Sequence, residues 1–229
     1  MFSNRLLNEF RTLLDILEEK ELGVIDRLAD LTAESIAKGG AIFVHDRGHL
    51  LNHELFMRSG GLALLQRLEK SGDPANELLQ AKHILEHSVL KAGDVLILSS
   101  VSGRATSVVE LAILAKQRGV TTIALTALDY TSQTESKHPS GQRLYEVCDH
   151  VLDIHTQKGD AALVVDGLDE KIIPTSGFTS AVVAWCFIAQ LIENLLKRSV
   201  VPTVYRSVSM PEGEERLERA KKRYAQLGY

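Results

Sequence analysis

The chain has 229 residues, 45% of them hydrophobic, and a formal net charge of -4. That is enough length and apolar content for one sizeable core. The mildly acidic balance, with no block of like charge, argues against a nucleic-acid-binding surface.

The first elements read as helices. Residues 3 to 19 place Leu6, Leu7, Phe10, Leu13, Leu14 and Leu17 at helical spacing, with acids throughout, so they form no secretory signal. Residues 22 to 37 repeat the pattern with Val24, Ile25, Leu28, Leu31 and Ile36, and Gly39-Gly40 ends it. An N-terminal helical hairpin is predicted over 1–39. Short apolar runs at 41–44, 95–98, 122–125 and 151–154 read as buried strands. Helical patterns separate them at 49–58, 75–90, 106–118 and 140–147, and further helices follow at 176–198 and 211–226. Such alternation predicts an α/β fold, a parallel sheet covered on both faces. No linker, repeat or low-complexity segment divides the chain, so one domain over 1–229 is expected: hairpin, α/β core over 40–210, and a charged amphipathic helix over 211–229. The uncharged apolar run at 172–191 contains Thr175, Ser176, Gly177, Thr179, Ser180 and Gln190, and reads as a buried helix rather than a membrane span. Cys148 and Cys186 read as buried free thiols of a reducing compartment. A cytoplasmic protein with no membrane partner is the expectation.

Two turns at predicted strand ends carry the chemistry. The first is Ser99-Ser100-Val101-Ser102-Gly103-Arg104, entering a helix. Unpaired N–H groups at a helix start, hydroxyls from Ser99, Ser100 and Ser102, a close-approach glycine at Gly103 and the guanidinium of Arg104 would together cradle an anion. A plain strand-to-helix turn with Ser as N-cap uses the same residues, and spacing alone leaves both readings open. Neither a Walker loop nor a GxGxxG fingerprint is present, so a phosphate or similar anion on a small molecule suits the turn better than a nucleotide. The second turn begins at His45-Asp46-Arg47-Gly48-His49 and runs to Gly61. His49 and His53 would share one helix face, and Glu54 and Arg58 another. Without an H-E-x-x-H pattern or paired cysteines, no metal and no cofactor are expected. Glu54 is either half of a surface ion pair or a carboxylate at the strand-end cleft, ready to take a proton. Asp160, after Gly159, could bind sugar hydroxyls or cap a following segment.

The order G-H-x-x-x-x-E-x-x-x-R-x-G-G-L, then S-x-S-G-R, then SKHPSGQRLYEVCDHVLD and KGDA resembles the sugar isomerase (SIS) superfamily. The likeness is closest to its single-domain phosphosugar-binding, phosphoheptose isomerase-like branch, and runs from about Gly40 to Arg206. The resemblance implies a flavodoxin-like three-layer sandwich and a homodimer or tetramer with the site near the subunit interface. It also implies phosphate held by Ser100, Ser102 and the Gly103 backbone. Two positions depart from the branch: Leu50 stands where a serine usually follows Gly-His, and Asp46-Arg47-Gly48-His49 replaces Gly-x-Gly-His. A hydroxyl and a glycine are lost beside the anion and Arg47 is gained, which leaves room for a C6 sulfonate in place of phosphate.

Aldose–ketose isomerisation needs a base for the C1/C2 proton, a second acid or proton shuttle, and a donor for the enediolate. The motif position of Glu54 makes it the expected base. His138 is the expected second group, with His49 behind it, while Lys137 and Arg58 would stabilise negative charge. Arg47, Gly48, Arg104 and Asp160 complete the expected set around a small anionic sugar. A non-catalytic sugar-phosphate sensor and an etherase-type lyase are the alternatives.

Overall fold

The computed structural model describes residues 1–48, 50–51 and 53–229. Helices α1 (Phe2–Lys20) and α2 (Leu22–Ala37) form the N-terminal hairpin, joined at Glu21. Gly39 takes a left-handed φ of 87° and closes α2, which turns the chain into the sheet. The sheet contains β1 (Ile42–Asp46), β2 (Leu65–Arg67), β3 (Val95–Ser99), β4 (Thr121–Thr126) and β5 (His150–Asp153) in the order β2-β1-β3-β4-β5. Every pairing is parallel. α3 (Glu77–Glu86) precedes β3, α4 (Thr106–Gln117) joins β3 to β4, and the short α5 (Leu128–Ser132) and α6 (Leu144–Val147) join β4 to β5. A separate antiparallel pair, β6 (Ala161–Leu163) and β7 (Ile172–Pro174), leads into the long α7 (Ser176–Lys197). The chain ends with α8 (Gly213–Leu227).

The two-residue period of the strands sorts the core into two layers. Ile42, Val44, Val95, Ile97, Ile123, Leu125 and Leu152 face α2 and α7, where they meet Leu28, Ile36, Phe187 and Leu191. Phe43, Leu96, Leu98 and Ala124 face α3, α4 and α6, where they meet Ile84, Leu85, Val108, Leu111 and Leu144. This is the parallel α/β sandwich that the alternating pattern predicts, and each buried aliphatic side chain stabilises it by roughly 1.5–3 kcal/mol. α7 has the length and apolarity of a membrane span. It carries ten buried residues packed within this fold.

Three expectations need correction. The described residues of the 49–58 segment, 50–51 and 53–58, make bends and turns rather than a helix: Leu55 N–H donates to Leu51 O, and Met57 then takes a φ of 55°, which ends the turn. Its leucines still serve the core, since Leu50, Leu51 and Leu55 are buried on the α2–α7 side. Cys148 is buried, with its thiol pushed up to about 12 by desolvation, but Cys186 is only half-buried. Finally, β2, β6 and α5 have no counterpart in the sequence reading, and residues 172–174 of the run read as a helix form β7 instead, because runs of three to five residues give too few positions to establish a period.

Candidate functional site

The strand order reverses direction between β1 and β3, since β2 lies beyond β1 on one side and β4 beyond β3 on the other. Loops leaving the carboxyl ends of those two strands therefore diverge and open a crevice. A cavity of about 320 Å³ occupies that place. Arg47, Gly48 and Leu50 line it from the β1 loop, and Ser100, Val101, Ser102, Arg104 and Ala105 from the β3 loop. Glu77 of α3 and Lys137 of the loop after α5 close its sides.

Each wall has a local cause. Asp46 and Ser99 stand opposite each other at the strand ends. The buried Asp46 carboxylate accepts from the N–H groups of Gly48 (3.1 Å) and Leu51 (2.9 Å), and so shapes the β1 loop. Arg47 N–H donates to Ser99 O, which couples the two loops. In the β3 loop, Gly103 holds a φ of 56°, and its O accepts from Leu144 N–H. Among the described residues no acceptor meets the N–H groups of Ser102, Gly103 and Arg104. The Ser99 hydroxyl and the Arg104 Nε are buried without a partner among the described residues. Lys137 donates its backbone N–H to Arg104 O, and its own O accepts from Thr106 Oγ1, which holds its position beside α4.

Glu77 is the residue that sequence reasoning missed. Its Oε2 accepts from Ser107 N–H at 2.8 Å, and its Oε1 from Arg47 Nη2 at 3.2 Å. Arg47 Nε donates to Ser107 Oγ at 3.1 Å and completes the triangle. α4 is thus capped from another helix rather than by a serine of its own turn. Burial pushes the Glu77 carboxyl up, but the Ser107 N–H and the Arg47 charge outweigh it and hold the group below its ordinary value. An acid in the first turn of a helix is the only sequence signal here, and nothing in its spacing ties Glu77 to a turn thirty residues away. Among the described residues the ionisable side chains around the cavity are three cations and one carboxylate, and that carboxylate is already engaged. A cavity so built selects an anion.

The remaining expected residues lie elsewhere. Glu54 is half-exposed, accepts from Trp185 Nε1 of α7 at 3.2 Å, and lies 3.6 Å from Arg58; neither Glu54 nor Arg58 lines the cavity. His138 is buried. Its Nε2 donates to Glu110 Oε2 at 2.9 Å, and its Nδ1 accepts from Ser140, at 3.1 Å from the backbone N–H and 2.7 Å from Oγ. Both ring nitrogens are therefore occupied in fastening the 136–143 loop to α4, and the ring is outside the cavity. Asp160 accepts from Thr175 N–H, Ser176 N–H and Ser176 Oγ, so it caps α7 and does not reach the cavity. His49 lies outside the described residues. Nearby, the buried His45 donates its Nδ1–H to Leu68 O at 2.9 Å, and desolvation lowers its pKa. His155, at the end of β5, lies between Glu21 at 3.0 Å and Asp153 at 3.3 Å, on the far edge of the sheet. Among the described residues no three His, Cys, Asp or Glu side chains converge as a metal site requires.

The model of the SIS domain matches residues 6–127, about half of the chain. A UPF0309 protein of Shouchella clausii is 33% identical over 218 residues, covering 89% of this chain and 88% of its own. Among solved structures, a protein of Bacteroides fragilis described as a phosphosugar isomerase involved in capsule formation superposes with a TM-score of 0.57. It is 20% identical and covers 94% of each chain. A phosphoheptose isomerase of Neisseria gonorrhoeae superposes with a TM-score of 0.52 at 18% identity, over 85% of this chain and 98% of its own. These two likenesses speak for the fold. The matched stretch takes in the hairpin, the two loops that form the crevice and the strand that follows them, and on that ground the chain belongs to the SIS domain family.

Proposed function

We propose that the β1–β3 crevice binds a small anionic sugar, a phosphorylated one before a C6-sulfonated one, and that the protein isomerises it between aldose and ketose through an enediol. The observation that carries the binding half is the convergence of Arg47, Arg104 and Lys137 with the Ser100–Gly103 turn at the point of strand reversal. The uncommitted N–H groups of that turn suit phosphate oxygens, and a cavity of about 320 Å³ suits a monosaccharide rather than a nucleotide. The catalytic half rests on Glu54. It follows Leu50, a cavity residue, along the same loop, and Trp185 and Arg58 fix its carboxylate. In this reading the bound sugar extends past the cavity walls to Glu54, which moves the C2 proton, and Arg58 and Lys137 offset the enediolate charge. A second copy of the chain is part of the proposal. Leu14 and Leu22 are exposed on the hairpin beside the half-buried Val182 and Cys186, and Leu7 is exposed two turns before Leu14 on α1, an apolar face suited to self-association.

One observation favours a non-catalytic sensor instead: Glu77, the only acid lining the cavity among the described residues, is locked by Arg47 and Ser107. Thermal-shift titration with sugar phosphates and C6-sulfonated sugars, followed by NMR exchange of the C2 proton, separates the two. Isomerase chemistry requires stabilisation in wild type and exchange that disappears in Glu54→Gln. Stabilisation without exchange in either protein makes the protein a sensor. An Arg104→Ala variant that binds as well as wild type removes the crevice from both readings.

A further inference from the structure

A second cationic concavity lies away from the crevice, between the 203–206 segment and α8. It encloses about 400 Å³, and four guanidinium groups line it: Arg206, Arg216, Arg219 and Arg223. Two are fixed by the fold. Arg223 donates to Thr203 Oγ1 at 3.2 Å and to Val201 O at 2.8 Å, and Arg216 pairs with Glu212 at 3.3 Å, the one acid in the lining. Arg206 and Arg219 have no side-chain partner among the described residues. Like charges gathered on one concave wall repel each other unless an anion lies between them, and a protein of net charge -4 has no general excess of cations to produce such a cluster.

We propose that this groove is a second anion site, for a compact phosphate-bearing small molecule held by Arg206, Arg219 and Arg223. Guanidinium forks match phosphate oxygens two at a time, and Arg223 is already oriented by its backbone acceptor. The neighbouring charges set the ligand's size. Glu214, Glu215 and Glu218 line the adjoining hollow on the other side of Arg219, so an extended polyanion such as a nucleic acid would meet carboxylates within one helical turn. A short di- or triphosphate, or a multiply phosphorylated sugar, would not.

The probe is inorganic tripolyphosphate, titrated calorimetrically into the full chain at about 0.15 M salt, where loose surface attraction is largely screened. Three proteins are compared: wild type, Arg206→Ala/Arg219→Ala, and Arg104→Ala/Lys137→Ala. All four replaced side chains are free of structural partners among the described residues, and circular dichroism checks each fold. The groove is a site if the Arg104→Ala/Lys137→Ala protein still binds one equivalent, and if Arg206→Ala/Arg219→Ala loses that equivalent. The expected weakening is about tenfold per guanidinium removed. If tripolyphosphate binding disappears with Arg104 and Lys137 and is untouched by Arg206 and Arg219, the proposal fails. It fails equally if wild type self-associates through the groove, the double arginine variant does not, and phosphate enters neither.

Discussion

Gly103→Ala puts the anion cradle under direct test. The residue holds a φ of 56°, and a Cβ there would lie 3.0 Å from Thr131 Oγ1, 3.2 Å from Thr126 Oγ1 and 3.3 Å from Leu144 Cβ. Two costs add. The left-handed backbone costs an L-residue about 1–2 kcal/mol, and the crowding about 1–2 kcal/mol more, because the neighbours are buried and cannot swing into solvent. Thr126 would also strain its hydrogen bond to Val101 O, at 3.0 Å, within the same turn. The sum is about 2–4 kcal/mol, or roughly 5–15 °C in Tm for a chain of this size. Gly141→Ala is the matched control, with a φ of 74° and nothing within 4 Å of the added carbon, so only the backbone cost applies. Urea unfolding followed by circular dichroism gives both numbers. Equal losses in the two variants would mean that the added Cβ at residue 103 meets no crowding. If Gly103→Ala lies within about 0.5 kcal/mol of wild type, the turn does not have this geometry.

Three other perturbations test named contacts. Asp160→Ala uncaps α7 and should cost about 1–2 kcal/mol in urea, while Asp160→Asn, which keeps an acceptor oxygen, should lose less. Glu77→Ala uncaps α4 and releases Arg47, so it should lower the urea midpoint yet tighten sugar-phosphate binding; weaker binding would mean that Glu77 orients Arg47 for the ligand. His155 has a raised pKa because Glu21 accepts from its ring, with burial opposing and the Asp153 charge adding. Its stabilisation is therefore complete below the ordinary value of 6.5 and lost as pH rises through the raised one. The stability difference between wild type and His155→Ala should shrink from about pH 5 to about pH 9, and a difference independent of pH would refute the contact.

The sheet was readable because parallel strands buried on both faces are written as continuous apolar runs, and Val95 to Leu98 can hardly be anything else. The crevice was half readable. Its β3 wall is one contiguous motif, so Ser100, Ser102 and Arg104 read together, while Gly103 turns the chain between them and Ser99, expected in the same cradle, is fully buried outside the lining. Its third side comes from α3, and only the strand order, a non-local property, brings Glu77 to Ser107. His138 and Asp160 look alike in sequence, each a polar residue in a polar loop. What separates a clamp or a cap from a ligand-binding group is which atoms their side chains meet, and those atoms lie on Glu110, twenty-eight residues away, and on Thr175 and Ser176, fifteen and sixteen away. The 49–58 leucines misled for another reason: burial on one side of an irregular turn leaves the same apolar spacing as a helix.

The segment that follows the β1 loop is fastened from the far end of the chain. Gly60 N–H donates to Tyr205 O, Ala63 N–H to Thr203 O, and Tyr205 N–H to Gly61 O. These pairings close across roughly 140 residues, among the most distant in the fold, and such contacts form late because the entropy of closing so large a loop must be met first. On the ribosome, the sheet can assemble while residues 60–63 still wait for a segment that has not been made. Binding competence should therefore lag behind secondary structure during refolding, and a chain stopped before residue 203 would have its strands but an unfastened rim.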